Sequence, residues 1–291
     1  MSKTTFDLST LSDITDGTHT VKVKAKASGY NDSEFSNEVS YTKTTPTLTD
    51  SILFAGETSD FTLKATNKSW NGTVEYSTDK NTWNTWEGSE ISSANKKLYL
   101  RGKNNTTFYT SKGVRFVLSA KAGCYGNINT LLDYENPPTT LASSCYREMF
   151  YSCTLLTTAP ELPATKLANY CYREMFYNCT SLTTPPQLPA TTMATSCYQL
   201  MFYNCTSLTS APELPATTLA DYCYNNMFKG CTKIKLSTTQ TGEYQTPYRI
   251  PTSGTGTTAT KALVNMFAGT GGTFTGEPSI NTTYYTSNTV V

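Results

Sequence analysis

The sequence is almost without histidine, and this shortage excludes most of the chemistry that a nucleophilic enzyme needs. Among its 291 residues the only imidazole belongs to His19, so Ser-His and Cys-His pairs have no candidate elsewhere. There is no CxxC pair either, and with a single histidine a zinc site is not expected. Gly254 and Gly256 come nearest to a phosphate-binding loop, but they lack a third glycine and a Gly-Lys step. We therefore expect a protein that is not an enzyme and that holds no cofactor or metal.

Charge of one sign and long apolar runs are also lacking. The chain has 23 basic and 22 acidic residues, a formal net charge of +1, so it has no basic footprint for nucleic acid or an anionic membrane. No stretch approaches the roughly 20 apolar residues of a membrane span, and membrane insertion is not expected. The first residues, MSKTTFDLSTLSDITDG, contain no apolar core of a secretory signal peptide. The sequence therefore predicts neither secretion through a signal peptide nor insertion into a membrane.

Threonine is unusually abundant, with 55 residues, and the chain also has 20 tyrosines. Both suit half-exposed strands, so the chain is predicted to be β-rich. Residues 1–45 contain about three strand-like runs, among them THTVKVKAKA, which alternates apolar and polar residues. They resemble the back half of an immunoglobulin-like or fibronectin-III-like domain. Either the chain is a fragment, or another subunit supplies the missing strands by edge pairing, which would make a homo-oligomer or a virion assembly.

Residues 46–120 are predicted to form a small β-sandwich, because strand-length runs alternate there with Asn-, Gly- and Ser-rich turns. All three tryptophans, Trp70, Trp83 and Trp86, fall in this segment. Trp83 and Trp86 suit either an exposed platform for sugar stacking or the core of the sandwich, and the core interpretation is favoured. Residues 121–135 are expected to cap the segment that follows.

Four copies of one 26-residue unit fill residues 136–239 without gaps. A fixed period of this size predicts a solenoid, in which each unit buries its apolar face against its neighbours. Two cysteine columns repeat with the unit, but the two cysteines of one unit are too far apart for a disulfide in the predicted helix. We expect buried free thiols that form a structural ladder. The columns are Cys145, Cys171, Cys197 and Cys223, and Cys153, Cys179, Cys205 and Cys231.

Each unit is predicted to contain a helical or 3₁₀ segment and one short strand. In the second unit Leu167, Cys171, Met175 and Cys179 are four residues apart, as on one stripe of a helix. The run Ser181–Thr184 then predicts a brief strand ended by prolines, and successive strands would form a parallel sheet. Residues 240–291 are interpreted as an inserted loop, a degenerate unit at Asn265–Thr270 and a C-terminal cap. The predicted fold class is therefore β-rich with an α/β solenoid.

The unit resembles the bacterial BspA-like leucine-rich repeat. Met175-Phe176, Cys179 and Leu182 match the Ala-Phe, Cys and Leu positions of that repeat, and Leu188-Pro189 matches its turn. Such repeats beside immunoglobulin-like strands resemble surface proteins of gut bacteria and phage tail or fibre proteins. The resemblance implies adhesion rather than catalysis, with a protein or glycan receptor on a cell surface as the partner.

Two functional hypotheses remain open from the sequence. The first is a bacteriophage virion protein, such as a tail fibre, a receptor-binding protein or a capsid-decorating protein; the alternative is a bacterial cell-surface adhesin. Two sets of repeated residues are candidates for binding. A tyrosine column either forms a docking patch or covers the helix flank, and strand residues line another face. The candidates are Tyr151, Tyr177 and Tyr203, with Thr183, Thr184 and Gln187.

Overall fold

The computed structural model describes residues 17–21, 39–43, 50–216, 218–248, 259–279 and 283–287. The chain divides into two compact bodies, which we call the N-terminal body (Met1–Thr47) and the main body (Leu48–Val291). The described residues form fifteen β-strands in four sheets and a single 3₁₀-helix. The prediction of a β-rich chain is therefore confirmed. No helix in these described ranges is both long and apolar enough to cross a membrane.

The N-terminal body contains one antiparallel pair, formed by β1 (Gly17–Val21) and β2 (Val39–Lys43). Gly17 lies opposite Lys43, and Val21 lies opposite Val39. The remainder of the predicted first strand and the predicted turn at residues 29–32 lie outside the described residues.

The main body begins with two sheets, which we call the two-sheet region (residues 50–125). One sheet has the strand order β10-β3-β8-β5-β6 and is extended beyond β10 by β11 (Leu156–Thr158), which follows later in the chain. The other sheet has the order β7-β4-β9. Alternate residues of β8 are buried, as expected when one face of a strand meets a core. The sheets face each other through Phe54 and Phe116, whose ring centroids are 6.0 Å apart. The strands are β3 (Ile52–Gly56), β4 (Thr62–Thr66), β5 (Thr73–Ser77), β6 (Asn84–Thr85), β7 (Ile91–Ser92), β8 (Lys97–Lys103), β9 (Arg115–Leu118) and β10 (Ala122–Tyr125).

The three tryptophans have different environments. Trp70 and Trp86 are buried and stack on each other with ring centroids 5.5 Å apart. Trp83 is half-buried, and the guanidinium carbon of Arg101 lies 3.9 Å from its ring centroid. Trp83 and Trp86 therefore do not form a shared exposed platform.

The 26-residue units contain a run of turns instead of a helix. In the first unit the backbone N–H groups of Cys145, Arg147 and Met149 each donate to the carbonyl three residues earlier. The N–H groups between them do not bond within the unit. That of Tyr146 donates to the carbonyl of Cys171, 25 residues later in the next unit, at 2.8 Å. Alternate N–H groups therefore bond within a unit and between units, which accounts for the backbone donors of this buried segment. We call these segments turn rungs; they cover residues 142–153, 168–179, 194–205, 220–231 and 259–270.

The prediction of a helix in each unit is wrong, and the backbone conformation explains why. Every fourth residue of a turn rung has a positive φ, as at Glu148 (63°), Glu174 (58°) and Asn204 (59°). An L-residue in that conformation ends a right-handed helix, so a helix cannot pass through these positions. A turn repeated every four residues also places its buried pairs four apart, and that spacing imitates the helical stripe that the sequence showed.

Equivalent side chains of successive turn rungs contact each other and form buried columns. Successive rings of the tyrosine column have centroids 5.8–6.0 Å apart, and those of the phenylalanine column 5.3–5.6 Å. Nearly parallel rings at this separation gain offset-stacking energy as well as burial. The columns are Tyr146, Tyr172, Tyr198 and Tyr224, and Phe150, Phe176, Phe202, Phe228 and Phe267.

Strand pairing between the units is limited. β11 (Leu156–Thr158) pairs in parallel with β10, and single parallel bridges join Thr158 to Thr184 and Thr192 to Thr218. Prolines follow this segment in the first three units, and because proline has no N–H to donate, the pairing stays short there. The predicted strand at Ser181–Thr184 is thus reduced to a bridge.

Both ends of the array of rungs are covered. At its start the N–H groups of Phe108 and Phe116 donate to carbonyls of the first turn rung, so the two-sheet region takes the place of a preceding rung. The 3₁₀-helix Ile128–Leu131 is fully buried beside it. At the other end Phe267 stacks on Phe228 with centroids 5.3 Å apart. A sheet of β12 (Lys235–Ser237), β13 (Thr246–Tyr248), β14 (Gly271–Gly272) and β15 (Tyr284–Thr286) lies beyond it. Gly254 and Gly256 lie outside the described residues.

Candidate functional site

Three of the predicted binding residues form an outward-facing stack, which we call the tyrosine ladder: Tyr151, Tyr177 and Tyr203. Each directly follows a buried phenylalanine in its turn rung, so the register of the interior fixes the register of the ladder. The ring centroids are 4.6 Å apart in the first pair and 4.7 Å in the second, with interplanar angles of 3° and 0°. All three side chains are half-buried. The separation equals the spacing of hydrogen-bonded strands, so the ladder follows the pitch of the backbone.

A cation lies at each end of the tyrosine ladder. The guanidinium carbon of Arg115 is 4.1 Å from the ring centroid of Tyr151, and Nζ of Lys229 is 5.9 Å from that of Tyr203. The ring faces are therefore covered by neighbouring rings or by cations, and what the ladder offers to a partner is its ring edges and hydroxyl groups. The pKa of Tyr177 is raised, mainly by burial and to a smaller extent by the neighbouring tyrosines. Its hydroxyl group therefore remains a hydrogen-bond donor at neutral pH.

The predicted strand residues lie on a second surface. Thr183 and Thr184 are exposed, and the N–H of Thr183 donates to the carbonyl of Thr157 at 3.4 Å. Gln187 lines a separate cavity of about 440 Å³ together with Glu161. Neither the threonines nor the tyrosine ladder contribute to the lining of that cavity. The structure thus groups the six predicted residues into three distinct places. The other lining residues of the cavity are Ala159, Pro160, Leu162, Pro163, Pro186 and Pro189.

A polar pocket of about 280 Å³ beside the tyrosine ladder is absent from the sequence-based predictions. It lies between the two-sheet region and the first turn rung, and Arg115, which stacks on Tyr151, is one of its walls. Nε and Nη2 of Arg115 donate to the same carboxylate oxygen of Glu148, whose side chain is 11% exposed. The sequence gives no local sign of this pocket because its walls come from distant segments. They are Asn67, Tyr109, Ser111, Lys112, Gly113, Arg115 and Glu148.

The eight repeated cysteines are buried with free thiols. The thiols of Cys179, Cys205 and Cys231 donate to phenylalanine carbonyls 29 residues earlier, at 2.9–3.0 Å. Burial raises the pKa of Cys171 and of Cys205 to about 12, so both thiols are protonated and unreactive at neutral pH. Within the described residues no group of three or more His, Cys, Asp or Glu side chains is arranged to hold a metal ion. These columns pack the interior and offer a partner nothing to bind.

Comparison of the chain with protein-family models, curated proteins and solved structures gives no match.

Proposed function

We propose that the protein is a non-catalytic binding module in which the turn rungs form a β-solenoid and the tyrosine ladder docks a partner on a cell surface. A bacteriophage virion is the setting we favour, with the chain acting as a tail-fibre, receptor-binding or capsid-decorating protein. In this proposal the two-sheet region is a small β-sandwich that covers the start of the solenoid. The N-terminal body is an immunoglobulin-like segment that connects the module to other subunits.

The observation that carries the proposal is the order of the tyrosine ladder. Each of its tyrosines is held by a rung whose backbone bonds to the next rung, so the hydroxyl edges are positioned before a partner arrives. A rigid tyrosine loses little conformational entropy on binding and offers both apolar surface and a hydroxyl group. Tyrosine and arginine are enriched at the centres of protein interfaces, and Arg115 stacks on Tyr151 at one end of the row.

The thiol content supports the virion setting. All nine cysteines of the sequence are free and buried. Free thiols in such number suit a chain that folds in a reducing compartment, such as the host cytoplasm in which virions assemble. Detection of the chain in purified virions by mass spectrometry is the expected result. Detection in bacterial envelopes instead would replace this setting by the alternative, a cell-surface adhesin.

The role of the ladder is tested by changing its hydroxyl groups without changing its rings. In the triple variant Tyr151→Phe, Tyr177→Phe and Tyr203→Phe the stack is retained, so the midpoint of thermal unfolding should change by no more than about 2 °C. Attachment to host cells should fall at least about tenfold, because each hydrogen bond contributes about 0.5–1.5 kcal/mol.

The buried tyrosine column provides the matched control. Tyr198→Phe removes a hydroxyl group from the interior of the same array, where no partner can reach it. It should leave attachment unchanged. If the ladder variant attaches as well as the unmodified chain, the ladder is not the docking surface.

A further inference from the structure

The polar pocket beside the tyrosine ladder contains more positive than negative charge. Glu148 supplies its one carboxylate, while Arg115 and Lys112 line it. Arg147 lies next to it, with its Nε 3.2 Å from Oε1 of Glu148 and its guanidinium carbon 4.7 Å from the ring centroid of Tyr109. The site thus contains three cationic side chains and one carboxylate, which gives it a formal charge of about +2.

The two guanidinium groups keep hydrogen-bond donors that this carboxylate does not use. An arginine has five N–H donors, and Arg115 spends two of them on Glu148. Its side chain is 39% exposed, and that of Arg147 is 23% exposed. Each guanidinium also stacks on a tyrosine ring, which fixes its plane before any ligand binds. These are the properties of an anion site whose donors are already oriented.

The size and the remaining walls of the pocket indicate what kind of anion it fits. A volume of about 280 Å³ is at the lower limit for small-molecule sites and suits a single ring rather than a chain of residues. Ser111, Asn67 and Tyr109 line it with hydroxyl and amide groups, which match the hydroxyl groups of a sugar. At Gly113 the pocket wall lies directly against the first turn rung, since an added Cβ would be 2.8 Å from the carbonyl oxygen of Arg147.

We propose that this pocket binds an acidic sugar, a hexuronate or a sialate, through its carboxylate. The carboxylate lies between Lys112, Arg115 and Arg147, and the ring hydroxyl groups contact the polar walls. Because Arg115 also stacks on Tyr151, further sugars of the same glycan extend along the hydroxyl edges of the tyrosine ladder. This inference rests on the proposed function and names the chemistry of the receptor.

The test measures binding of acidic and neutral monosaccharides to the full chain by saturation-transfer NMR titration. The probes are glucuronate, galacturonate and N-acetylneuraminate, with glucose, galactose and N-acetylmannosamine as their neutral counterparts. At least one acidic sugar should bind about tenfold more tightly than its neutral counterpart, and its affinity should fall as salt is raised from 50 to 500 mM, because screening weakens exposed charges.

Two variants and a matched control locate the site. Lys112 is exposed, so Lys112→Gln removes a pocket charge without disturbing the fold. Arg147→Gln removes the adjoining guanidinium, and Arg173→Gln removes its equivalent in the second turn rung, which forms the same kind of pair with Glu174 at 2.8 Å but lies outside the pocket. Affinity for the acidic sugar should fall about tenfold or more in each pocket variant and remain unchanged in Arg173→Gln.

Several results would overturn the inference. They are equal binding of acidic and neutral sugars, no binding of any acidic sugar, equal affinity for acetate, displacement of the sugar by a hexaglutamate peptide, and equal losses in Arg147→Gln and Arg173→Gln. The proposed function is judged separately by cell attachment of the ladder variant. If attachment depends on the tyrosine hydroxyl groups while no acidic sugar binds, the inference fails and the proposed function stands.

Discussion

Two tyrosines of the buried column differ in whether their hydroxyl group is hydrogen-bonded, and this difference tests the packing of the interior. The hydroxyl of Tyr146 lies 3.1 Å from the carbonyl oxygen of Ile128 and 3.1 Å from Oδ1 of Asn129. The hydroxyl of Tyr172, in the next turn rung, is fully buried and has no hydrogen-bond partner in the part of the chain that the structure describes. The rings themselves stack with centroids 5.9 Å apart, so the two sites share their ring packing.

Replacement of tyrosine by phenylalanine should therefore change the free energy of unfolding in opposite directions at Tyr172 and at Tyr146. A buried polar group without a partner costs about 1–3 kcal/mol, so Tyr172→Phe should stabilise the chain by about 1 kcal/mol. In Tyr146→Phe the hydrogen bond is lost and the carbonyl of Ile128 loses this donor, so the chain should be destabilised by about 1 kcal/mol. Both variants retain the aromatic ring, and the stacking energy is unchanged.

The assay is thermal unfolding of the full chain at pH 7, followed by near-ultraviolet circular dichroism of the tyrosines. For a body of this size 1 kcal/mol corresponds to about 2–4 °C, so the midpoints of the two variants should lie about 4–8 °C apart, with Tyr172→Phe the higher. A Tyr172→Phe midpoint that falls as far as that of Tyr146→Phe would refute the reasoning, because the hydroxyl of Tyr172 would then contribute a favourable bond.

Two further predictions concern the thiols and the strained turn positions. Burial raises the pKa of Cys171 and Cys205 to about 12 and that of Cys223 to about 11, above the ordinary 9.0, so protonated thiols stabilise the fold fully below pH 9 and lose that contribution as the pH rises towards 12. The urea concentration at the unfolding midpoint should therefore decrease as the pH is raised from 9 to 11. An unchanged midpoint would contradict the burial of these thiols. Leu200 has a φ of 58°, where glycine is unstrained, whereas Gly269 already has a φ of 72°. Leu200→Gly should therefore lower stability less than Leu167→Gly, a change at another half-buried leucine that has no positive φ. Gly269→Ala should lower stability by about 1 kcal/mol, and equal effects of Gly269→Ala and Gly276→Ala in urea unfolding would argue against strain.

The sequence predicted which residues pack inside the repeats but not the backbone that carries them. Cys171, Met175 and Cys179 lie inside, as their spacing of four indicated. The helix was wrong because a spacing of four is close to the 3.6 residues of a helical turn, and the two patterns differ little over eight residues. A distinguishing signal was present at Asn178 and Asn204, since asparagine adopts a positive φ more readily than most other L-residues and recurs there at the period of the unit.

The charged pocket could not be predicted because no pattern along the chain connects its walls. Asn67, Lys112 and Glu148 come from a turn, a hairpin and a turn rung that lie close together only in the fold. The tyrosine ladder could be predicted, since its members recur with the period of the repeat. Periodicity thus identifies surfaces built by repetition, whereas a pocket at the junction of two different architectures becomes visible only in three dimensions.

The backbone bonds between turn rungs have a consequence for how such genes change. The fifth rung joins the fourth 38 residues later rather than 25, as in the bond from the N–H of Tyr224 to the carbonyl of Ala262, yet the bond is 2.9 Å long. Two rungs therefore form the same backbone hydrogen bonds when the segment that connects them is 13 residues longer. Unequal recombination within the repeated coding sequence can add or delete whole units, and the ladder gains or loses a tyrosine when the unit is one that carries it, as the first three units do. In the docking role proposed above, such single genetic steps would change the valency towards a repetitive receptor and leave the contacts inside every rung as they are.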